Sequence, residues 1–263
     1  LPVSVTLHDL RDFTRFARPG RRLAAPFLWR AALRRADILL AVSDYTAGEA
    51  ARLLPRLAPR IRVVPTGLPE RFFRPAPRPS PLPAGCLLTT GRPLRHKNPE
   101  LLLRAHALLH RRSPEAPPLL WVGETADRRG ADLARRIRRL GLEGKVILAG
   151  PVAEEALPAI YGQAEMALFP ALYEGQGLGP LEAMAGGAPV LASAIPAHRE
   201  AAGGGCRLFD PADPAALAGL VAELLADREA AARLAARGRA HARRWDTAGM
   251  AARLKRAWPG LEG

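Results

Sequence analysis

One segment decides how this chain is organised, and it reads Tyr173-Glu-Gly-Gln-Gly-Leu-Gly-Pro-Leu-Glu-Ala-Met-Ala-Gly-Gly-Ala-Pro-Val-Leu-Ala-Ser193. It predicts a glycine-rich turn, then a helix, then a strand. Gly175, Gly177 and Gly179 allow the backbone to approach a ligand closely, because glycine has no side chain in the way. Pro180 suits the first position of a helix, where its missing N–H costs no hydrogen bond. The segment therefore predicts a ligand-binding turn at the start of a helix.

The chemistry of this turn indicates a sugar bound beside a phosphate. The first N–H groups of a helix have no partner within the helix, and they attract anions. Glu174 and Glu182 bracket this helix start. Carboxylates do not bind phosphate, but they accept hydrogen bonds from hydroxyl groups, in which sugars are rich. Phosphate-binding N–H groups between two hydroxyl acceptors predict a pocket for a nucleotide sugar.

A second motif is the turn Gly91-Arg-Pro-Leu-Arg-His-Lys-Asn98, which follows the apolar run Cys86-Leu-Leu-Thr-Thr90. Apolar residues recur at helical spacing from Leu101 onward, so the pattern predicts a strand, a turn and a helix. Arg92 and Lys97 flank the turn, where both can reach one diphosphate. Arginine offers a planar fork to phosphate oxygens, and lysine offers a compact charge. A basic loop on an already basic protein is the alternative.

The two motifs resemble the Glu-x7-Glu and Gly-Arg-x4-Lys-Asn motifs of the retaining glycosyltransferases of family 4, and among these the mannosyltransferase-like members. This chain has Gln176 where Phe is usual in the family, and Gly179 where Pro is usual. The resemblance implies an α/β fold of the GT-B type, with two Rossmann-like domains. A glycine turn before an ordinary helix, with two solvated glutamates, is the alternative.

The resemblance also implies roles for individual residues. Catalytic roles fall on Glu174, His8, Arg92 and Lys97. His8 follows an apolar strand, and α/β folds place ligand sites at the carboxyl ends of strands. A capping or buried structural histidine is the alternative there. The residues implied to bind the donor are Gly91, Arg92, Lys97, Pro151, Val152, Glu174, Gly175, Gln176, Gly177, Leu178, Gly179 and Glu182.

The implied activity moves a hexose of the mannose or glucose type from a GDP- or UDP-linked donor to a glycan or a lipid-linked acceptor, with retention of anomeric configuration. No cofactor and no metal is implied. His106 and His110 have metal-ligand spacing on one helix face, but Ala107 stands where a metalloprotease pattern has Glu. A donor-binding fragment without transferase activity is the alternative, and a sugar-nucleotide epimerase of the same fold is another.

Strands and helices alternate along the chain, which is typical of parallel sheets packed between helices. We expect a partial N-terminal, acceptor-side domain at residues 1–74, a proline-rich linker at 75–83, a nucleotide-sugar-binding domain at 84–240, and a C-terminal helix at 241–263 that returns to the first domain. About 75 residues bury surface poorly. Residues 1–10 also resemble the middle of the family's N-terminal domain rather than its start. We therefore expect roughly the first half of that domain to be missing.

Four local patterns predict structure around these motifs. Leu23–Ala36 predicts a helix, and Val146–Gly150 predicts a buried strand that ends in a turn. Ser43 stands before a helical pattern and is expected to cap that helix, with a family Val-Ser turn as the alternative. Glu200 is expected to form a cap or a surface ion pair.

The composition combines many apolar residues with an excess of positive charge. The chain has 263 residues, 48% of them hydrophobic, and only two cysteines, which predicts reduced thiols in a cytoplasmic protein. The net charge is +14, and residues 1–80 carry 15 arginines against six carboxylates. This basic half predicts either peripheral contact with the anionic inner face of a membrane or a solvated surface. Aromatic residues are only 5%, and no nucleic-acid motif is present, so nucleic acid is not expected as a partner.

Overall fold

The computed structural model of the protein describes residues 3–17, 20, 29, 33–74, 80 and 82–258. Its strands form two parallel sheets, one of three strands and one of six. Most of the predicted helix Leu23–Ala36 and most of the predicted linker 75–83 lie outside the described residues. The alternating pattern of the sequence is thereby confirmed as an α/β fold with two sheets.

The small sheet has the strand order β1-β2-β3, and both strand pairs are parallel. The strands are β1 Ser4–Leu7, β2 Ile38–Ala41 and β3 Ile61–Val63, and helix α1, Asp44–Leu53, connects β2 to β3. The helix expected after Ser43 is confirmed as α1. The sheet packs on a core formed by Leu7, Leu10, Leu33, Ala36, Leu39, Ala50 and Leu54.

The large sheet has the strand order β6-β5-β4-β7-β8-β9, and all its pairs are parallel. Its strands are β4 Leu87–Thr90, β5 Leu119–Val122, β6 Val146–Gly150, β7 Met166–Phe169, β8 Val190–Ser193 and β9 Arg207–Phe209. The helices are α2 Pro99–Arg112, α3 Arg128–Arg139, α4 Leu157–Gly162, α5 Leu178–Gly186, α6 Pro196–Ala202, α7 Pro214–Ala226, α8 Arg228–Ala242 and α9 Thr247–Ala257.

Both faces of the large sheet are covered by helices, because successive strand residues point to opposite sides. Leu87 and Leu119 pack in an apolar cluster with residues of α2, α3 and α7. Their neighbours Leu88 and Leu120 pack in a second cluster with residues of α4, α5 and α6. This burial on both sides explains why the strands are short, nearly continuous apolar runs.

Strand β6 corrects one prediction. It lies at an edge of the large sheet, paired with β5 alone, and each of its residues is half-buried. The expectation of a buried strand at Val146–Gly150 is therefore wrong about burial, although the strand itself is present. An apolar run predicts a strand. The burial of that strand also depends on its place in the sheet, and the run itself carries no information on strand order.

The two sequence motifs meet where the strand order of the large sheet reverses. β4 continues outward to β5 and β6, whereas its other neighbour, β7, continues to β8 and β9. In open α/β sheets, a ligand crevice forms outside the carboxyl ends of the strands at such a point. The turn Gly91–Asn98 follows β4, and the turn Pro170–Gly177 follows β7. The fold therefore brings both motifs to one crevice.

The end of the chain returns to the segment after β3. The backbone N–H of Leu68 donates to the carbonyl of Trp245 at 2.6 Å, and Leu68 forms a parallel bridge with Asp246. The Thr247 hydroxyl donates to the carbonyl of Leu68 at 2.9 Å. These contacts place the start of α9 against the first part of the chain. The domain boundaries given above stay a prediction.

Cys86 and Cys206 are both free and buried. Burial raises the pKa of both thiols, that of Cys206 to about 12. They are therefore structural thiols with little thiolate character. Within the described ranges, no helix has the length and apolar character needed to cross a bilayer.

Candidate active site

The glycine-rich turn leads directly into α5, which begins at Leu178. Gly177 precedes the helix with a φ of +88°, in the left-handed region that favours glycine. Pro180 is therefore not the first helical residue, and that prediction is wrong by two positions. It still lies in the first turn, where a missing N–H breaks no helical hydrogen bond. Because Gly177 has no side chain, no N-cap side chain competes with a ligand for the first N–H groups of α5.

Glu174 and Lys97 form an ion pair across the crevice. Lys97 Nζ lies 2.5 Å from Glu174 Oε1, and the side chains of Lys97 and Glu174 are 36% and 19% exposed. The pair joins the turn after β7 to the turn after β4, which fixes both turns relative to each other. It also places a cation suited to phosphate directly beside a carboxylate suited to hydroxyl groups.

Glu182 lies on α5, is half-buried and lines the crevice. Burial raises the pKa of its carboxyl to about 7, and a hydrogen bond from Tyr161 opposes this shift. The Tyr161 hydroxyl lies 3.3 Å from Glu182 Oε2, and it also lies 3.0 Å from Thr90 Oγ1. Above pH of about 7 the carboxylate is ionised and is a strong acceptor for hydroxyl groups.

A cavity of about 200 Å³ lies among these groups. Its lining residues are Thr89, Thr90, Gly91, Arg92, Lys97, Trp121, Phe169, Pro170, Ala171, Glu174, Gly179, Pro180 and Glu182. Six of the predicted site residues are thereby brought to one place. Other predicted site residues are not part of its lining, and these are His8, Pro151, Val152, Gly175, Gln176, Gly177 and Leu178.

Asp127 is a site-adjacent residue that the sequence analysis missed. Its Oδ2 accepts a hydrogen bond from Arg92 Nη2 at 2.7 Å. Its Oδ1 accepts from the backbone N–H groups of Arg129 and Gly130, which caps α3. The Gly130 N–H and the Arg92 guanidinium both hold the pKa of Asp127 below its ordinary value. An aspartate just before a helical pattern indicates a helix cap. No pattern in the sequence, however, indicates the contact of this aspartate with Arg92.

Two residues at the start of α1 bind the glycine-rich turn through one carbonyl. The Gly175 carbonyl accepts hydrogen bonds from Ser43 Oγ at 2.5 Å and from Thr46 Oγ1 at 2.9 Å. Ser43 Oγ also accepts from the N–H of Thr46, so its predicted role as a helix cap is confirmed. Because the peptide is planar and trans, the N–H of Gln176 points in the opposite direction, away from α1.

Gln176 makes a second contact with the first part of the chain. Its Oε1 accepts from the backbone N–H of Thr66, and its Nε2 donates to the Thr66 carbonyl, both at 2.9 Å. The side chain is 4% exposed, so both polar atoms are satisfied in a buried setting. A phenylalanine at this position, as the resemblance leads one to expect, offers neither hydrogen bond.

Glu200 caps a helix of the other sheet. Its two carboxylate oxygens accept from the backbone N–H groups of Asp44 and Tyr45, at 2.7 and 2.9 Å. The prediction that Glu200 acts as a cap is confirmed, but the capped helix is α1, more than 150 residues away along the chain. The negative charge also complements the positive end of the helix dipole.

Residues 75–241 match the sequence profile described as "Glycosyl transferases group 1". The chain belongs to this family. The matched residues include the entire large sheet and every residue that lines the cavity, so the site described above is the part of the chain that carries the family pattern.

Curated relatives within this glycosyltransferase group are about 30% identical. The D-inositol 3-phosphate glycosyltransferase of Thermobispora bispora is 33% identical over 234 residues, which are 83% of this chain and 55% of the relative. The O-antigen chain mannosyltransferase B of Escherichia coli is 30% identical over 227 residues, which are 80% of this chain and 57% of the relative. The chain thus spans a little over half the length of these relatives.

Solved structures of GT-B enzymes have the same architecture. Sucrose-phosphate synthase from Thermosynechococcus elongatus superposes with a TM-score of 0.79 at 26% identity, covering 96% of this chain and 66% of the other. HepE of Anabaena, in complex with UDP and glucose, gives a TM-score of 0.80 at 22% identity, covering 97% of this chain and 71% of the other. The predicted GT-B fold is thereby confirmed.

The three histidines singled out in the sequence of this group 1 glycosyltransferase chain differ in their exposure. The side chain of His8 is exposed, and its backbone carbonyl lies against Gly175. His106 and His110 are buried and face each other, with their Nε2 atoms 3.1 Å apart. Burial lowers the pKa of both rings, that of His106 to about 4. In the part of the chain that the structure describes, no group of three or more His, Cys, Asp and Glu is arranged to hold a metal ion.

Replacing Gly175 by alanine should destabilise the contact between the two parts of this glycosyltransferase chain. A Cβ atom at Gly175 would come 1.7 Å from the carbonyl oxygen of His8, so either the turn or β1 must move. We expect a lower free energy of unfolding in urea and weaker donor binding. Gly48→Ala in α1 is the matched control, because its added Cβ meets nothing within 4 Å and should stabilise by roughly 0.5–1 kcal/mol. Equal unfolding curves for the two variants would contradict the close approach.

Proposed function

We propose that this chain forms the donor-binding and catalytic part of a glycosyltransferase that moves a hexose from a nucleoside diphosphate sugar to a glycan or a lipid-linked acceptor, with retention of anomeric configuration. One observation carries the proposal. A single cavity brings together two cations, Arg92 and Lys97, and two carboxylates, Glu174 and Glu182. Cations suit the diphosphate, and carboxylates suit the hydroxyl groups on either side of it.

The two cations bind the diphosphate and stabilise the negative charge that develops on it as the sugar leaves. Both cations are paired with carboxylates in the free protein, Lys97 with Glu174 and Arg92 with Asp127. An arriving diphosphate competes with these carboxylates. When it takes Lys97, the oxygens of Glu174 become free to accept hydrogen bonds from the sugar. Diphosphate binding and capture of the sugar are therefore coupled through one ion pair.

The two carboxylates hold opposite ends of the donor. Glu182, which is half-buried in the cavity lining, accepts hydrogen bonds from the ribose hydroxyls. Glu174, nearer the first part of the chain, accepts from hydroxyls of the transferred hexose. The exposed His8 side chain, whose backbone carbonyl lies against Gly175, has a catalytic role from the side of the small sheet. No side chain is assigned as a nucleophile, and the proposed transfer uses no metal or cofactor.

The donor is GDP-mannose or a UDP-hexose in this proposal. One relative is named as an O-antigen chain mannosyltransferase, and HepE has been solved with UDP-glucose as well as with UDP and glucose. The turn at Pro151 and Val152 follows β6 at the same end of the sheet, and we assign the nucleobase to it. We also propose that the protein is cytoplasmic and that its basic residues 1–80 make peripheral contact with an anionic membrane.

Calorimetric titration with GDP, UDP, GDP-mannose and UDP-glucose tests the donor site directly. We expect selective binding of one nucleotide and of its sugar conjugate. We also expect Glu182→Ala to weaken that binding by roughly tenfold or more, because a charged acceptor in the cavity lining is lost. Binding of every nucleotide with equal affinity, insensitive to Glu182→Ala, would contradict the assignment.

A donor-binding fragment without transferase activity is the second candidate. The observation that favours it is that the family match, at residues 75–241, includes the cavity but not the small sheet. The two candidates differ in turnover and agree in binding. Release of nucleoside diphosphate from the donor sugar at a rate above the uncatalysed background supports the transferase, and tight binding without release supports the fragment.

A further inference from the structure

Tyr161 lies beneath the cavity, on α4, and it is fully buried. Its ring fits there because Gly186 of α5 has no side chain, since a Cβ at Gly186 would come 2.6 Å from the Cβ of Tyr161. Phe72 packs on the other side, with the ring centroids 6.4 Å apart. A phenol placed so deeply needs partners for its hydroxyl, because an unpaired buried hydroxyl is costly.

The Tyr161 hydroxyl has two partners, and both line the cavity. It lies 3.0 Å from Thr90 Oγ1 and 3.3 Å from Glu182 Oε2. An ionised carboxylate can only accept, so Tyr161 donates its proton to Glu182. Its oxygen is then free to accept from the Thr90 hydroxyl. The result is a directed chain of hydrogen bonds from the end of β4, through α4, to α5.

We propose that Tyr161, supported by Thr90, is the positioning residue that holds the Glu182 carboxylate in the orientation required by the ribose of the donor. The inference rests on the proposed function, because it takes Glu182 as the ribose acceptor. One carboxylate oxygen is occupied by Tyr161. The other oxygen is therefore turned toward the cavity and is presented to the ribose in a fixed direction, at no cost when the donor arrives.

The charged and titratable groups around Glu182 come from several elements. They are Tyr161 on α4, Glu154 before α4, Arg71 after β3 and Lys97 after β4. Burial is the largest cause of the raised pKa of Glu182, and the Tyr161 hydrogen bond opposes it by favouring the ionised form. Loss of that hydrogen bond should raise the pKa of Glu182 further. Ribose binding, which uses the ionised carboxylate, should then begin at higher pH.

Tyr161→Phe tests the inference, because it removes only the hydroxyl. The probes are the nucleoside diphosphate selected in the titrations above and its deoxyribose analogue, each titrated across a pH range centred on about 7. We expect roughly tenfold weaker binding of the ribonucleotide near neutral pH, a smaller preference for ribose over deoxyribose, and a binding midpoint at higher pH. Thr90→Val, which leaves Tyr161 in place, should shift both quantities in the same direction by a smaller amount.

Tyr45→Phe is the matched control, because the Tyr45 hydroxyl also lies in the field of a glutamate, Glu49, but on α1 and outside the cavity. It should leave the ribose preference and the pH midpoint unchanged. Urea unfolding of each variant shows whether the fold is kept. If Tyr161→Phe fails to fold, Thr90→Val alone decides the inference.

The outcomes separate this inference from the proposed function. Loss of ribose preference in Glu182→Ala, together with unchanged preference and pH midpoint in folded Tyr161→Phe and Thr90→Val, overturns the positioning role alone. Retention of ribose preference in Glu182→Ala overturns the proposed role of Glu182 and this inference with it. Absence of nucleotide binding to the unaltered chain overturns both as well.

Discussion

Replacing Glu174 by glutamine should strongly reduce sugar transfer while leaving the affinity for the nucleoside diphosphate unchanged or higher. Glu174 Oε1 lies 2.5 Å from Lys97 Nζ in the free protein, so the carboxylate competes with phosphate for that cation. Glutamine removes the competitor, and Lys97 becomes free for the diphosphate. The same change removes the charged acceptor for the hydroxyls of the transferred sugar. Turnover should fall by about 10²–10³, the range expected when one preorganised electrostatic contact is lost.

Two measurements on the same protein check this prediction. Calorimetry gives the affinity for the nucleoside diphosphate, and release of nucleoside diphosphate from the donor sugar gives the turnover. Glu143→Gln is the matched control, because Glu143 is exposed in the turn between α3 and β6 and carries the same charge. Turnover that survives in Glu174→Gln would remove Glu174 from the mechanism. A large loss of diphosphate affinity would show instead that the ion pair holds Lys97 in place rather than competing for it.

Local sequence patterns predicted most of the elements that build the site. Apolar runs predicted β4 and β8, and helical spacing predicted α2, because burial on both faces of a parallel sheet leaves its mark on consecutive residues. The reversal of strand order between β4 and β7 then brings Gly91–Asn98 and the glycine-rich turn to one crevice. These short, local motifs therefore predicted the four charged residues of the cavity lining, but not its apolar residues, such as Trp121 and Phe169.

Contacts between residues far apart in the sequence could not be predicted from local patterns. Gly175 has no side chain because the carbonyl of His8 occupies that space, and Glu200 caps a helix that forms part of the other sheet. The hydrogen bond between Arg92 and Asp127 is of the same kind. Such contacts depend on how finished elements pack, and packing follows from the summed surfaces of many residues rather than from any one spacing.

The misjudged burial of β6 and the misplaced start of α5 have separate physical causes. An edge strand and a central strand have similar apolar runs, so their burial is decided by neighbours that are far away in sequence. The helix start was assigned from Pro180, but proline is tolerated anywhere in the first turn. The left-handed conformation of Gly177 set the true boundary, at Leu178.

Replacing Lys97 by alanine should weaken binding of the nucleoside diphosphate much more than binding of the nucleoside. Lys97 lines the cavity and is paired with Glu174, and its charge acts on the diphosphate alone. Loss of one charge-assisted contact costs about 1.5–3 kcal/mol, which corresponds to roughly 10- to 100-fold weaker binding. The salt dependence of diphosphate binding should fall at the same time, because one phosphate-binding charge is gone.

Arg95→Ala is the matched control for Lys97→Ala, since Arg95 lies in the same turn and is exposed, and it is not part of the cavity lining. Both variants lower the net charge equally, so a general electrostatic attraction predicts equal effects and a specific contact does not.

The double variant of Lys97→Ala with Glu174→Gln tests the same contact in a second way. Without Lys97, Glu174 is an uncompensated negative charge beside the diphosphate, and its removal should restore part of the lost affinity. Equal losses for nucleoside and nucleoside diphosphate, or no recovery in the double variant, would place the diphosphate elsewhere.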